Sequence, residues 1–209
     1  HQFETIFWDQ PDLLQRGFDA AIIRSCWDYT DRTDEFVATL QSFERAGLPV
    51  FNSSEVVRWN GRKTYLKELG DAAIETVWAE EFDADVLNAA FDALGVDEVV
   101  AKPQVGAGSR ETVRLTRDGW SAADLAAGPS GPAMIQPYLT SIETEGERSL
   151  FWFGGEYAYA IRKAPMPGSW LANMPGKTRF FADPPPPHAL AVAEEARARA
   201  PKDLLYVRI

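Results

Sequence analysis

Two lysines in different parts of the sequence could hold the same anionic ligand. Lys102 ends a predicted strand that opens into a loop of small residues, Gln104 to Ser109. Glycines in such a loop let backbone N–H groups approach one phosphate group, and a lysine at the strand end can contact the adjacent phosphate group. Lys63 lies near the start of a predicted helix, where the helix dipole favours an anion. The two segments together predict a triphosphate site.

Each lysine also has a simpler interpretation. Lys102 could be a solvated side chain at the end of a surface hairpin, and Lys63 an exposed helix lysine. The order of residues differs from the common phosphate loop, in which glycines precede the lysine, and from a G-x-G-x-x-G turn before a helix. A phosphate site built on these residues would therefore be of another kind.

An extended segment, Gln136-Pro137-Tyr138-Leu139, could bind the base of a nucleotide. Its backbone donors and acceptors suit the edge of adenine, and a carboxylate a few residues later could accept hydrogen bonds from ribose hydroxyls. Glu143, Glu145 and Glu147 follow the segment. The alternative is an edge strand followed by a solvated acidic turn.

Composition excludes several other classes of function. The 209 residues are 45% hydrophobic, enough for a sizeable core, and the net charge of −10 disfavours nucleic acid and anionic membranes as partners. Cys26 is the single cysteine, and the only histidines are His1 and His188. No segment suggests a signal peptide or a membrane span, so we expect a cytoplasmic protein. Any chemistry must come from lysine, arginine, glutamate and backbone amides.

The first part of the chain predicts an α/β layer. A short apolar run from Ala20 to Ile23, a helical pattern from Asp34 to Ala46 and a strand at Pro49 to Phe51 form a β-α-β unit. Helices then follow up to Trp59 and from Arg62 to Leu69. This part, residues 1–59, is expected to be a partial doubly wound domain on the substrate side.

Two α+β lobes are predicted to follow, at residues 60–135 and 136–209. The first lobe contains a strand at 74–78, a helix from Ala84 to Leu94, and a strand at 98–102 with a hairpin partner at 112–115. Strands at 133–138, 148–153 and 157–163 are expected to form one antiparallel sheet. A helix at 189–200 and a final strand at 204–209 complete the chain, and both chain ends look cut.

Together these segments resemble the ATP-grasp superfamily, in its glutathione-synthetase-like branch, over nearly the whole chain. The resemblance implies the ATP-grasp fold and assigns ATP to Lys63, Lys102 and the loop residues Gly106, Ala107, Gly108 and Ser109. It assigns adenine to the segment from Gln136 to Leu139. It also implies that Glu147 contacts ribose, with Glu143 as second choice.

A narrower resemblance concerns Arg24-Ser25-Cys26-Trp27-Asp28-Tyr29, which is similar to a segment of the subgroup that includes the cycloserine-forming ligase. It implies that Arg24, Ser25 and Trp27 contact a small polar substrate, although Trp27 could equally pack in the core. The segment Ala160 to Pro165 resembles the strand that places a cation beside the transferred phosphoryl group. Arg162 is the predicted cation, with Arg148 as its helper.

The implied activity is a carboxylate–amine ligase that uses ATP and Mg²⁺. A small amino-acid-like acid would be phosphorylated, and an amine of the same or another molecule would attack the acyl phosphate. The aspartate, glutamate and asparagine that hold magnesium in the family normally follow a strand like 205–209, so no residue present is assigned to the metal. An ATP-binding regulatory module and a phosphotransferase are the alternatives, and a homodimer is left open.

Overall fold

Three separate β-sheets organise the part of the chain that the structure describes. The structure, a computed structural model, describes residues 2–172, 176, 178–202 and 204–209. The α-helices are α1 Thr33–Arg45, α2 Ser54–Gly61, α3 Ala84–Leu94, α4 Ala122–Ala127, α5 Ser141–Thr144 and α6 Pro187–Arg199. The strands are β1 Ala21–Ile22, β2 Val50–Phe51, β3 Val77–Ala79, β4 Glu98–Pro103, β5 Val113–Thr116, β6 Ala133–Pro137, β7 Glu147–Phe153, β8 Glu156–Pro165, β9 Thr178–Phe181 and β10 Tyr206–Arg208. Three 3₁₀ helices lie at Leu13–Arg16, Trp27–Thr30 and Lys63–Ala72.

The N-terminal unit has the predicted β-α-β connection. β1 pairs with β2 in parallel, with Ala21 opposite Val50, and α1 connects the two strands. The apolar spacing that predicted α1 also forms its buried face, since Phe36, Leu40 and Phe43 are all in the core. The structure therefore confirms this part of the prediction.

The first four-stranded sheet has the order β3-β6-β4-β5 and is antiparallel at every pairing. α3 packs against it through Leu87, Ala90 and Phe91, all of which are fully buried. The side chain of Asp83 caps the start of α3, and Gly95, with φ of 63°, ends it in the left-handed conformation. The predicted bounds of this helix are confirmed.

The second four-stranded sheet has the order β10-β7-β8-β9, again antiparallel. One face packs against α6 through Leu150, Trp152 and Ala160, which contact Ala193 of the helix. The 3₁₀ segment Lys63–Ala72 packs on the other side of α6, where the Arg199 guanidinium donates to the Leu69 carbonyl.

The prediction that β6, β7 and β8 form one sheet is wrong. β6 pairs with β3 and β4 in the first sheet, and only β7 and β8 pair with each other. β7 has β10 on one edge and β8 on the other, and β8 has β7 and β9, so neither strand has a free edge for β6, which is flanked by β3 and β4. The chain passes between the sheets through residues 138–146.

The predicted domain limits stay a prediction, although the limit between 135 and 136 falls inside β6. Among the helices that the structure describes, none is both long and apolar enough to span a bilayer.

Candidate functional site

Lys63 lies directly against the small-residue loop. Its ammonium group donates to the carbonyls of Pro103 (3.2 Å) and Gly106 (2.8 Å). The base of the loop is fixed by Gln104, which is 1% exposed and whose amide nitrogen donates to the carbonyls of Ala79 and Ala133, both at 3.0 Å. The loop therefore starts from a rigid base, with a lysine at its side.

Lys102 shares this site with Lys63. Burial, followed by the positive charge of Lys102, lowers the pKa of Lys63 to about 8, and burial also lowers the pKa of Lys102. Within the described part of the chain, the Lys102 ammonium group has no hydrogen-bond or ion-pair partner. Two half-buried cations, both with a lowered pKa, form a site that an anion would stabilise.

A carboxylate and a third lysine face these two from the second sheet. Glu147 and Lys163 are opposite each other on β7 and β8, and the lysine ammonium lies 2.6 Å from the carboxylate. Lys163 is 7% exposed. The charge of Glu147 opposes the fall in the pKa of Lys102, which places the carboxylate near that lysine. The space between the two sheets is thus lined by three lysines and one glutamate.

The predicted adenine segment lies beside this space, at the end of β6. Gln136 is buried and donates to the Thr76 hydroxyl at 2.8 Å, and the Tyr138 N–H donates to the Glu98 carbonyl at 3.0 Å. Pro137 ends β6, and Leu139 after it is exposed. The backbone beyond Tyr138 is therefore open to a ligand.

The Tyr138 side chain is held by a charged network. Its hydroxyl donates to Glu143 at 2.5 Å, and the Arg114 guanidinium lies 3.7 Å from its ring centroid. Arg114 also binds Glu98 (2.6 Å) and Glu143 (3.0 Å). Burial and the bond to Glu143 raise the pKa of Tyr138 to about 12. Glu143 is thus engaged with Tyr138 and Arg114, as Glu147 is with Lys163, and the ribose contact of either carboxylate stays a prediction.

Comparison with known proteins identifies this arrangement of two sheets around a lysine-lined space. Residues 1–52 match the family model for the N-terminal domain of D-cycloserine synthetase DcsG. The cycloserine biosynthesis protein DcsG of Streptomyces lavendulae is 28% identical over 174 residues, 78% of this chain and 58% of that protein. The crystal structure of D-cycloserine synthetase DcsG superposes with a TM-score of 0.76 at 26% identity, covering 97% of this chain and 73% of that one.

A solved structure of the ATP-grasp ligase PsnB with a minimal precursor superposes with a TM-score of 0.57 at 18% identity, over 91% of this chain and 64% of that one. This chain has the ATP-grasp fold. The resemblance to ATP-grasp ligases, including the cycloserine-forming subgroup, is confirmed. The chain spans 58% of the length of its curated relative DcsG.

The structure does not bring Arg148 and Arg162 into the ATP-grasp cleft. They are opposite each other on β7 and β8, one residue out of step with Glu147 and Lys163, so strand alternation directs them to the other face. There both approach Asp183, with Arg162 Nε at 3.0 Å and Arg148 Nη2 at 3.7 Å. Their catalytic role stays a prediction, and Lys163 is the cation of that segment that faces the cleft.

The predicted substrate segment of the ATP-grasp cleft lies next to the terminal strand. The Arg24 guanidinium is 5.3 Å from the ring centroid of Tyr206, whose hydroxyl donates to the Ile23 carbonyl at 2.7 Å. Ser25 has a positive φ of 52°, and Trp27 is 67% exposed, so it does not pack in the core. Arg24 therefore contacts the strand that contains Tyr206, and the contact of Arg24, Ser25 and Trp27 with a substrate stays a prediction.

Arg208 is a cleft residue that sequence reasoning missed. It is opposite Phe151 in the β10–β7 pairing, which puts it on the same sheet face as Glu147. Burial raises the pKa of Tyr206 and of Tyr65, and the nearby charge of Arg208 opposes both rises. The alternation of side chains along a strand could have identified both Arg208 and Lys163, once it was known which strands pair and in which register.

The described residues contain no group of three or more His, Cys, Asp or Glu side chains that could hold a metal ion. Glu147 is the one carboxylate placed among the three lysines of the ATP-grasp cleft. Residues for Mg²⁺ are therefore not identified in this part of the chain.

Proposed function

We propose that this protein is an ATP-dependent ligase that joins the carboxylate of a small, amino-acid-like substrate to an amine. The observation that carries the proposal is the convergence of Lys63 and Lys102 on the small-residue loop, with Lys163 facing them from the second sheet. The ATP-grasp fold supports this function, since ligases with this fold match the chain. The proposal concerns the full-length protein, because this chain covers only 58% of the length of its relative DcsG.

The residues present fit ATP. The phosphates would lie against Lys63, Lys102 and the backbone of Gly106 to Ser109. There the negative charge of the phosphates would offset the repulsion between the two half-buried ammonium groups. Adenine would meet the backbone of Gln136 to Leu139, and Glu147 would accept from ribose hydroxyls. A site of this kind is complementary to a polyanion before the ligand arrives, so little reorganisation is needed.

The chemistry would proceed in two steps. A carboxylate oxygen of the substrate attacks the terminal phosphorus, the bond to the bridging oxygen breaks, and ADP leaves with that electron pair. An amine nitrogen then attacks the acyl carbon, phosphate leaves, and the ammonium proton passes to solvent. Lysines that neutralise charge on the transferred group lower the barrier of the first step by positioning and electrostatics, without a side-chain nucleophile.

The acid would lie at the edge of the cleft formed by Arg24, Ser25 and Trp27. A guanidinium without an ion-pair partner among the described residues suits a carboxylate, and an exposed indole suits a flat or apolar portion of the substrate. Similarity to a protein named for cycloserine biosynthesis favours ring closure, in which the amine belongs to the same molecule. Mg²⁺ would neutralise phosphate charge when bound, and no step above depends on a metal ligand of this chain.

Trapping experiments test the proposal. The full-length protein, with Mg-ATP, is screened for ADP release against amino acids and O-substituted serines, with and without hydroxylamine. The proposal predicts substrate-dependent ADP release and a hydroxamate of the substrate. A stable phosphoester would indicate a phosphotransferase, and ATP binding without ADP release for any acid would indicate a regulatory module.

A further inference from the structure

One ion pair connects the small-residue loop region to the N-terminal unit. The Arg110 guanidinium lies 2.8 Å from the Asp31 carboxylate, and the two side chains are 79 positions apart in the sequence. Among the described residues, this is the only ion pair that joins residues 1–59 to residues 60–135. An exposed pair of this kind contributes little to global stability, so its significance lies in the two segments that it joins.

The loop end of this pair has an unusual backbone. Ser109 and Glu111, the residues on either side of Arg110, have positive φ angles of 62° and 51°. Residues other than glycine adopt this conformation at a cost, and surrounding contacts must maintain it. The Glu111 carboxylate provides one such contact, since it accepts from the N–H (2.8 Å) and hydroxyl (3.0 Å) of Ser130. The loop is thus fixed just beyond Arg110, which directs the guanidinium toward Asp31.

The other end of the pair lies two residues after the segment assigned to the substrate, Arg24 to Tyr29. Asp31 follows the 3₁₀ helix Trp27–Thr30 and its N–H donates to the Asp28 carbonyl at 3.1 Å. The next residue, Arg32, is engaged with Asp9, Asp28 and Glu35. Within the described chain, the Asp31 carboxylate is therefore left to Arg110 alone.

We propose that the Arg110–Asp31 pair is a latch, that is, an ion pair that couples the small-residue loop, Gln104 to Ser109, to the substrate segment, Arg24 to Tyr29. Both are positioning residues, because each acts through the segment that carries it and neither lines the lysine site. The proposal rests on the proposed function, since the two coupled segments are those assigned to ATP and to the acid. A loop held against the substrate segment would cover ATP best when the acid is in place, so the apparent affinities for the two ligands should be linked.

Amide hydrogen exchange of residues 104–111 in the full-length, nucleotide-free protein tests the latch directly. Arg110→Glu and Asp31→Arg should each speed exchange of this segment about fivefold, and the charge-swapped double variant should return it to within about twofold of the parent. Arg117→Glu is the matched control, because it breaks exposed ion pairs with Asp92 and Asp97 in the same lobe but lies away from the loop. That variant should leave the segment unchanged.

Unchanged exchange in both single variants would overturn the latch, and so would a double variant that stays as fast as the singles. The exchange measurement does not require ATP or turnover, so it decides the latch even if the proposed ligase activity fails. In active protein, the single variants should raise KM for ATP and for the acid together, about fivefold each, with a smaller change in kcat. The swap should restore both constants, which a loss of fold would not allow.

Discussion

The two four-stranded sheets differ in how completely their side chains are covered. In the first sheet Val99, Ala101 and Ile135 are fully buried beneath α3. In the second sheet the buried cluster is small, and Tyr159 and Phe180, on the face away from α6, are 45% and 65% exposed. Lys102 therefore extends from a closely packed sheet, whereas Lys163, itself buried beside Glu147, and the exposed Arg208 share a sheet face with these exposed aromatic side chains. We infer that the first sheet fixes the phosphate site and that the second sheet adapts to the ligand.

Core substitutions should show the largest difference between the sheets. Phe91→Ala removes a fully buried ring of the first lobe and should lower the free energy of unfolding by about 3 to 5 kcal/mol. Phe180→Ala, on β9 of the second sheet, should change it by less than about 0.5 kcal/mol. Urea denaturation monitored by fluorescence measures both, and equal losses would contradict the comparison.

Substitutions of two neighbouring residues, Lys163 and Arg162, distinguish the contributions of the two faces of the second sheet to the reaction. Lys163→Met should lower kcat about 100- to 1000-fold, because it removes a preorganised cation from the cleft. Arg162→Met, one position earlier and on the other face, should have a much smaller effect. Steady-state rates of ADP release give the ratio. A larger loss for Arg162→Met would instead support the prediction made from the sequence.

The depressed pKa of Lys63 predicts a pH dependence of ATP affinity. Below pH 8 the free lysine is protonated and can bind a phosphate, and above pH 8 it must first regain its proton. The Kd for Mg-ATP should therefore rise by up to tenfold per pH unit above about 8. Isothermal titration between pH 7.5 and 9.5 measures it. Lys63→Arg, which stays charged, should flatten the profile, and a flat profile in the parent would exclude this role.

The smallest effect is expected at the predicted adenine segment, Gln136 to Leu139. Tyr138→Phe removes the hydroxyl that donates to Glu143, which should cost about 0.5 to 1.5 kcal/mol of stability. Arg114 should still hold Glu143, so ATP affinity should change less than twofold. Thermal unfolding and calorimetry distinguish the two quantities, and a large affinity loss would assign the hydroxyl to nucleotide binding.

Local patterns allowed much of the fold to be predicted. The bounds of α3 follow from Asp83 and Gly95, and the β-α-β unit follows from the apolar spacing around α1. The partner of β6 could not be predicted in this way, because strand pairing depends on contacts that are distant in the sequence. An antiparallel hairpin signal at Gly154-Gly155 identified the β7–β8 pair but carried no information about β6.

The candidate site shows the same division. Lys63, Lys102 and the loop were identifiable from residue types and order, and the structure brings them together. The choice between Arg162 and Lys163 required the register of β7 with β8, which no local pattern specifies. Arg110 was missed because its partner, Asp31, lies in another unit of the chain.

Calorimetric titration of Mg-ATP into the full-length Lys102→Met variant tests the central claim, that half-buried cations from separate segments converge on one triphosphate. The variant should lose affinity about 10- to 100-fold, as expected for hydrogen bonds to a charged group in a partly buried site. Its stability should be equal or higher, because an unpaired buried charge is removed. Lys202→Met, an exposed lysine near the C-terminal end of α6, is the control and should bind like the parent. Unchanged affinity in Lys102→Met would contradict the account.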